Sequence, residues 1–287
     1  MAVTKTHDPE PHAIKVETTA EGITTIGINR IHKKNAINPP TAEKLYNAFL
    51  SFEDDATQKV CVLYGIGGTF CSGFDLSELA NWDSTPANSS GSGDGNTGIA
   101  RKYFAPVQGR NQGPLGPSRM LIKKPVICAI SGYAVAGGLE LSVLADLRVM
   151  EEDAVCGIFS RRFGVPLLDG GTVRLQAIIG LGRALDLILT GRTVSAQEAL
   201  SLGLANRVVP KGKAFEEAMK LAKALASFPQ ECLNVDRMSV YYTTFQAKSI
   251  EDALANEYEN AMQVADLAIE KALRFAQGGN KGRRANL

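Results

Sequence analysis

Apolar and polar residues alternate over Ile14–Val16 and Ile23–Ile28, with Glu21-Gly22 between them, and this pattern predicts a β-hairpin. Asn38-Pro39-Pro40 then opens a helix, because asparagine caps helices and proline suits their first turn. Leu45, Phe49 and Phe52 recur at helical spacing, so one face of that helix is buried. Val60–Tyr64 is a short apolar run closed by Gly65, Gly67 and Gly68, and it reads as a buried strand. Val126–Ile130 is a second such run. It leads through the small-residue turn Ser131–Gly138 into a helix at Leu139–Leu144 and a strand at Asp146–Met150. Helices are predicted over Thr172–Ile179 and Arg183–Leu189, and Ser195-Ala-Gln-Glu198 is a capping box that opens another. A strand at Leu204–Val209 stops at Pro210, and Ala214–Phe275 reads as almost wholly helical. Strands alternating with helices, then helices alone, describe an α/β core with a helical C-terminal part.

One segment departs from this pattern. Asn81–Ser118 centres on Asn88-Ser-Ser-Gly-Ser-Gly-Asp-Gly-Asn-Thr-Gly98, which holds too little apolar surface to offset the entropy of ordering it. It is expected to be a mobile loop within one fold, either a lid or a solvated insertion.

Composition narrows the functional classes. Lys plus Arg number 31 and Asp plus Glu 30, a formal net charge of +1 that argues against a dedicated nucleic-acid binder. The three histidines, His7, His12 and His32, all lie near the N-terminus and none adjoins a nucleophile motif. No Cys or His pair has zinc-ligand spacing, so no metal is expected. The cysteines number five and are scattered, which suits buried free thiols in a reducing compartment. No window is apolar enough to span a membrane. The chain ends Lys281-Gly-Arg-Arg-Ala-Asn-Leu287, which resembles a variant Ser-Lys-Leu peroxisomal address and also reads as a frayed basic tail. Cytoplasmic and peroxisomal locations both stand open.

Two glycine-containing turns follow buried strands: Gly68-Thr-Phe-Cys-Ser-Gly73-Phe74-Asp75 and Gly132-Tyr-Ala-Val-Ala-Gly137-Gly138-Leu-Glu140. Neither is a dinucleotide fingerprint or a P-loop. Both expose backbone N–H groups, and the second does so at a helix N-terminus, where the dipole favours negative charge. Two such donors converging on one point make an oxyanion hole, worth about 3–4 kcal/mol per donor. Tight turns for close strand–helix packing are the other reading of the same spacing.

These blocks resemble the crotonase superfamily, the enoyl-CoA hydratase/isomerase family. Asn29-Arg-Ile-His-Lys-Lys-Asn35-Ala36-Ile37-Asn38, Phe70-Cys-Ser-Gly73-Phe74-Asp75-Leu76, Pro125 to Leu141 with its Gly137-Gly138-Leu-Glu140, and Leu189-Thr190-Gly191-Arg192 to Val209 match family segments in order. The resemblance implies an α/β fold with a crotonase-like ββα spiral core over 1–210 and a helical C-terminal trimerisation region over 211–287. It implies a homotrimer, or a hexamer made as a dimer of trimers. The periodic apolar positions Ile250, Leu254, Tyr258, Met262, Leu267 and Leu273 fit burial against a chain not specified. It further implies that the substrate is an acyl-CoA, with coenzyme A part of the substrate and no separate cofactor. The oxyanion donors carry over to the N–H groups of Phe74 and Gly137. Contacts to coenzyme A or substrate carry over to Lys33, Lys34, Ala36, Asp75, Leu76, Ser77 and Gly138. Ser77 stands where family members often have lysine.

Among acid–base groups, the resemblance places Glu140 at the first catalytic glutamate of hydratases. The second falls, by ungapped alignment, on Ser160, and a serine cannot hold a proton ready as a tuned carboxyl does. Asp169 lies just before the Thr172 helix and corresponds to a pocket aspartate of dienoyl-CoA isomerases; capping that helix is its other reading. Arg161 and Arg162 are expected at the surface or a subunit interface, or paired with Glu140, Asp169 or substrate. Hydration of an enoyl-CoA, a double-bond shift using Glu140 and Asp169, and a non-catalytic CoA-binding role therefore remain as alternatives.

Overall fold

In the computed structural model, the described residues are 10–80, 106–266, 269, 270 and 273. The Asn88–Gly98 stretch, the terminal tripeptide, His7 and Leu267 lie outside them. The chain forms two compact units, Met1–Ala226 and Ser227–Leu287.

The first unit holds strands β1 (Ile14–Thr18), β2 (Ile23–Ile28), β3 (Val60–Gly65), β4 (Val126–Ile130), β5 (Tyr133–Val135), β6 (Leu147–Glu151), β7 (Val155–Gly157), β8 (Val194–Ser195) and β9 (Arg207–Val209). Its helices are α1 (Pro39–Asp54), α2 (Leu76–Ala80), α3 (Gly137–Ser142), α4 (Gly171–Ile179), α5 (Leu181–Thr190), α6 (Ala196–Leu202) and α7 (Ala214–Ser227). One sheet runs β1-β2-β3-β4-β6-β9 and a smaller one runs β5-β7-β8. Among the described strands, only the pairs β1–β2 and β7–β8 are antiparallel. The expected hairpin and the α/β alternation are both present.

The alternation in β2 does not produce a polar face. Every position from Ile23 to Ile28 is buried, because the strand lies between β1 and β3 under cover on both sides. Thr24 meets this burial by donating its hydroxyl to Gln58 Oε1 at 3.1 Å. Ala214, Ala218, Ala222 and Ala226 of α7 form a fully covered row against Ile23, Val60, Val62 and Ile127. Small side chains at this spacing let the helix approach the strands closely. The opposite core cluster packs Leu45, Phe49 and Phe52 of α1 on Ile26, Ile28, Leu63 and Phe70, as the helical spacing predicts.

The helix starts follow capping chemistry. Asn38 Oδ1 accepts the Thr41 N–H at 3.1 Å and Ser195 Oγ accepts the Glu198 N–H at 3.2 Å. Glu198 does not close the capping box; its carboxylate binds Arg192 at 2.7 Å instead. In the second unit, α8 (Gln230–Phe245) and α9 (Ile250–Met262) pack together, so Ala214–Phe275 is interrupted at Phe228-Pro229 and at Gln246–Ser249. Tyr242 donates to Asp252 Oδ1 at 3.0 Å across them. Ile250, Leu254, Tyr258 and Met262 are exposed on the single chain. No described helix is long and apolar enough to cross a membrane.

A buried arginine ties three segments of the first unit together. Arg30 donates to Glu10 Oε2 at 2.6 Å, to Asp75 Oδ2 at 3.1 Å and to the Ala36 carbonyl. Its side chain is 4% exposed and that of Asp75 7%. Removing one partner strands the others' charges out of water. Arg30→Ala is therefore expected to lower unfolding free energy by about 3–5 kcal/mol, as read from the urea midpoint at unchanged slope.

Candidate active site

Two turns meet at one point because their backbones pair. Cys71 N–H donates to the Tyr133 carbonyl at 2.9 Å, and Val135 N–H donates to the Cys71 carbonyl at 3.1 Å. A Cβ built on Gly73 lies 2.9 Å from the amide nitrogen of Gly137, so a side chain at 73 would collide with it. Gly73 also sits at φ +98°, in the left-handed region that favours glycine. This contact brings Phe74 and Gly137, the two expected oxyanion donors, to the same cavity wall.

Gly137 opens α3, so its N–H has no acceptor within the helix. Ala136 before it holds φ +52° and ψ −128°, a strained conformation for a residue with a side chain, costing on the order of 1–3 kcal/mol. Its N–H is anchored on the Gly157 carbonyl at 2.9 Å, one of the bonds that join β5 to the smaller sheet.

The cavity has a volume of about 330 Å³. Phe74, Gly137, Glu140 and Asp169 line it, and Pro114, Phe159, Phe163, Val165, Pro166 and Leu168 give it an apolar wall. Lys33, Ala36, Asp75 and Leu76 line it also. Three expected contacts do not. Lys34 holds its ammonium 5.8 Å from the centre of the Tyr133 ring. Ser77 donates its hydroxyl to Asp75 Oδ1 at 2.6 Å, and Gly138 packs against the Cys71 carbonyl. Asp75 spends its carboxylate on Arg30 and Ser77, whose hydrogen bonds, with that of the Ser77 N–H, keep it below the usual carboxylate range against the opposing effect of burial. It braces the wall from behind.

Glu140 and Asp169 are 3% and 5% exposed. Glu140 Oε1 accepts the N–H of Asp169 at 3.1 Å and of Gly171 at 3.0 Å. A side chain at 171 would put its Cβ 2.7 Å from Glu140 Cγ, so the glycine makes room for this carboxyl. Asp169 Oδ1 accepts the Leu115 N–H at 3.0 Å and the Ser118 hydroxyl. Each carboxyl thus has one oxygen bound to the protein by two donors. Burial, and then the charge of Asp169, push Glu140 up to about 8, against the pull of the two N–H groups and Arg174. Burial also raises Asp169, opposed by Ser118, Leu115, Arg119 and Arg174.

Ser160 lines the same cavity and is 7% exposed, and its hydroxyl has no hydrogen-bond partner. Arg161 and Arg162 point elsewhere: Arg162 stacks on Phe159 with its guanidinium 3.6 Å from the ring centre and donates to the Gly191 carbonyl at 2.9 Å, and Arg161 donates to the Ile188 carbonyl. The arginines near the carboxyls are Arg119, beside Asp169, and Arg174, which donates to the carbonyls of Ser118 and Met120. Leu115, Ser118 and Arg174 escape sequence reasoning. Leu115 and Ser118 fall in the segment expected to be loop, yet both are fully buried. Cys71, Cys128 and Cys156 are buried thiols pushed up to about 12 by desolvation, and no described cysteine forms a disulfide.

The chain is similar in sequence and in fold to known proteins. The family profile described as Enoyl-CoA hydratase/isomerase matches residues 18–97 and 118–272. The chain is 34% identical over 209 residues to the enoyl-CoA hydratase EchA19 of Mycobacterium tuberculosis, covering 70% of each chain. It is 30% identical over 253 residues to the carnitinyl-CoA dehydratase of Proteus mirabilis, covering 85% of this chain and 88% of that one. The crystal structure of enoyl-CoA hydratase EchA1 from Mycobacterium marinum superposes with a TM-score of 0.78 at 29% identity, covering 93% and 96% of the two chains.

The raised Glu140 has a thermodynamic consequence. The folded chain keeps its proton to higher pH than the unfolded chain does. The resulting stability is present below the ordinary carboxyl range and is lost as pH rises to about 8. Glu140→Gln keeps an acceptor for the two N–H groups and removes the titration. Its thermal midpoint is expected to fall less than that of the wild type between about pH 5 and pH 8, measured by circular dichroism in matched buffers.

Proposed function

The chain belongs to the enoyl-CoA hydratase/isomerase family, and from that premise we propose that it shifts a carbon–carbon double bond in an unsaturated acyl-CoA. The observation that carries this reading is the pair of buried carboxyls, Glu140 and Asp169, in one cavity with Ser160 where a second hydratase carboxylate would stand. A double-bond shift needs a group that takes a proton from the α-carbon and a group that returns one further along the chain. It adds no water.

In this reading the thioester oxygen accepts the N–H groups of Phe74 and Gly137, and it gains negative charge as the α-proton leaves. Asp169, with two donors on one oxygen and Arg119 and Arg174 opposing the rise that burial causes, is assigned as the carboxyl that takes the proton. Glu140, protonated at neutral pH, supplies the proton at the far end of the dienolate. The pair then exchanges its proton to return to the starting state. Phe159, Phe163, Val165 and Leu168 support an apolar acyl group, and Lys33, Ala36 and Leu76 support the coenzyme A arm. Water addition is the second reading, favoured by the hydratase and dehydratase names of the relatives.

Proton NMR in D₂O with 3-enoyl-, 3,5-dienoyl- and crotonyl-CoA separates the two readings. A shifted double bond with deuterium incorporated and no hydrated product is expected. Asp169→Asn and Glu140→Gln should each lower kcat by about 10²–10⁴. Hydration of crotonyl-CoA that survives Asp169→Asn and is lost in Glu140→Gln would overturn the isomerase reading. The exposed row Ile250, Leu254, Tyr258 and Met262 supports the homotrimer or hexamer implied by the family resemblance. Light scattering on the eluted protein should give a multiple of three chains.

A further inference from the structure

We propose that Ser118 is a positioning residue that, together with the N–H of Leu115, clamps one oxygen of Asp169 and holds this carboxyl ionised with its other oxygen left for the substrate. The inference rests on the reading of Asp169 as the proton-accepting group.

The clamp is built by a tight turn. Gly113 N–H donates to the Gly116 carbonyl at 2.8 Å, and Gly116 N–H donates back to Gly113 at 3.0 Å. This turn presents the Leu115 N–H, and the 3-10 turn Pro117–Arg119 that follows presents the Ser118 hydroxyl. Leu115 and Ser118 are both fully buried. The leucine side chain also packs over Gly137, where a built Cβ would lie 2.5 Å from Leu115 Cδ1, so the segment touches the oxyanion turn and the carboxyl together.

Ser118 and Asp169 are held in register independently of their own hydrogen bond. Arg174 donates to the carbonyls of Ser118 and Met120, the latter at 2.8 Å, and Arg119 Nε donates to the Leu168 carbonyl at 3.2 Å. Asp169 Oδ1 already accepts an N–H, so the serine is the donor, and its single hydroxyl proton goes to the carboxylate. A hydrogen bond to a charged acceptor is about twice as strong as a neutral one, and it favours the ionised form. The other groups facing Asp169 are Glu140 from α3, Arg119 from the 3-10 turn, Arg174 from α4 and the buried Cys71 thiol.

The test is the titration of Asp169 itself. The full-length protein is labelled with carbon-13 at its aspartate carboxyls, and the Asp169 signal is assigned by its loss in Asp169→Asn. In Ser118→Ala the titration, and with it the acidic limb of the kcat profile, should move upward by about one pH unit. Ser118→Cys, which keeps the size with a weaker donor, should move it in the same direction by less, and it carries the test should the alanine variant not fold. A folded Ser118 variant with lowered thermal midpoint and raised KM but an unmoved Asp169 titration would overturn the proposal. Full turnover in Asp169→Asn would instead overturn the role of Asp169 as the base, a separate result, since the carboxyl titration still reports whether Ser118 holds it.

Discussion

The site depends on one carboxylate oxygen. Glu140 Oε1 accepts two backbone N–H groups, those of Asp169 and Gly171, across a gap of about thirty residues in sequence. That bond does more than satisfy a buried acceptor. It hangs the backbone of the second carboxyl from the side chain of the first, so the two carboxyls share one frame. The same bond brings the start of α4 to the start of α3. Two parts of the cavity are set by these helix starts: the amide of Gly137, proposed to bind the thioester oxygen, one turn before Glu140, and the apolar wall from Phe159 to Leu168 before Asp169.

Placing two carboxyls side by side away from water is costly, and the structure meets the cost unevenly. Asp169 receives a hydroxyl, an N–H and the fields of two guanidiniums, whereas Glu140 receives two N–H groups, the field of one guanidinium and the negative charge of its neighbour. Similar burial with different partners is the ground on which Glu140 is proposed as the proton donor and Asp169 as the proton acceptor. Around them, charge is kept for bracing: Arg30 binds Asp75, Glu10 and the Ala36 carbonyl, and through them holds the two segments between which the coenzyme A arm is proposed to lie.

Much of this was legible in one dimension. Asn38 and Ser195 act as the caps they resemble, and the α1 row of Leu45, Phe49 and Phe52 is buried. The paired glycine turns, too, lie where strand-then-glycine spacing placed them. What misled the reading were signals that depend on surroundings. The alternation in β2 marks the hairpin that forms, but it does not reveal that both faces of the strand are covered. The segment before Ser118 carries glycines and prolines that read as loop, and nothing local marks Leu115 and Ser118 as fully buried. Arg161 and Arg162 lie at the surface, one of the places expected for them, while nothing in the sequence marks Arg174 as the residue that donates to the carbonyls of Ser118 and Met120 beside the carboxyls.

The sequence by itself determined the order along the chain of the six strands of the larger sheet, most of the helices, the family and the position of the two glycine turns, because those follow from local spacing and from matched motifs; the short strands β5, β7 and β8 escaped it. Only the tertiary structure decided that Glu140 and Asp169 share a cavity, that Asp75 faces Arg30, and that the Ser118 hydroxyl donates a hydrogen bond to Asp169. The physical reason is that a carboxyl's role is set by the dielectric and the donors around it. Those donors come from segments some thirty to fifty residues away, whose approach is created by folding alone.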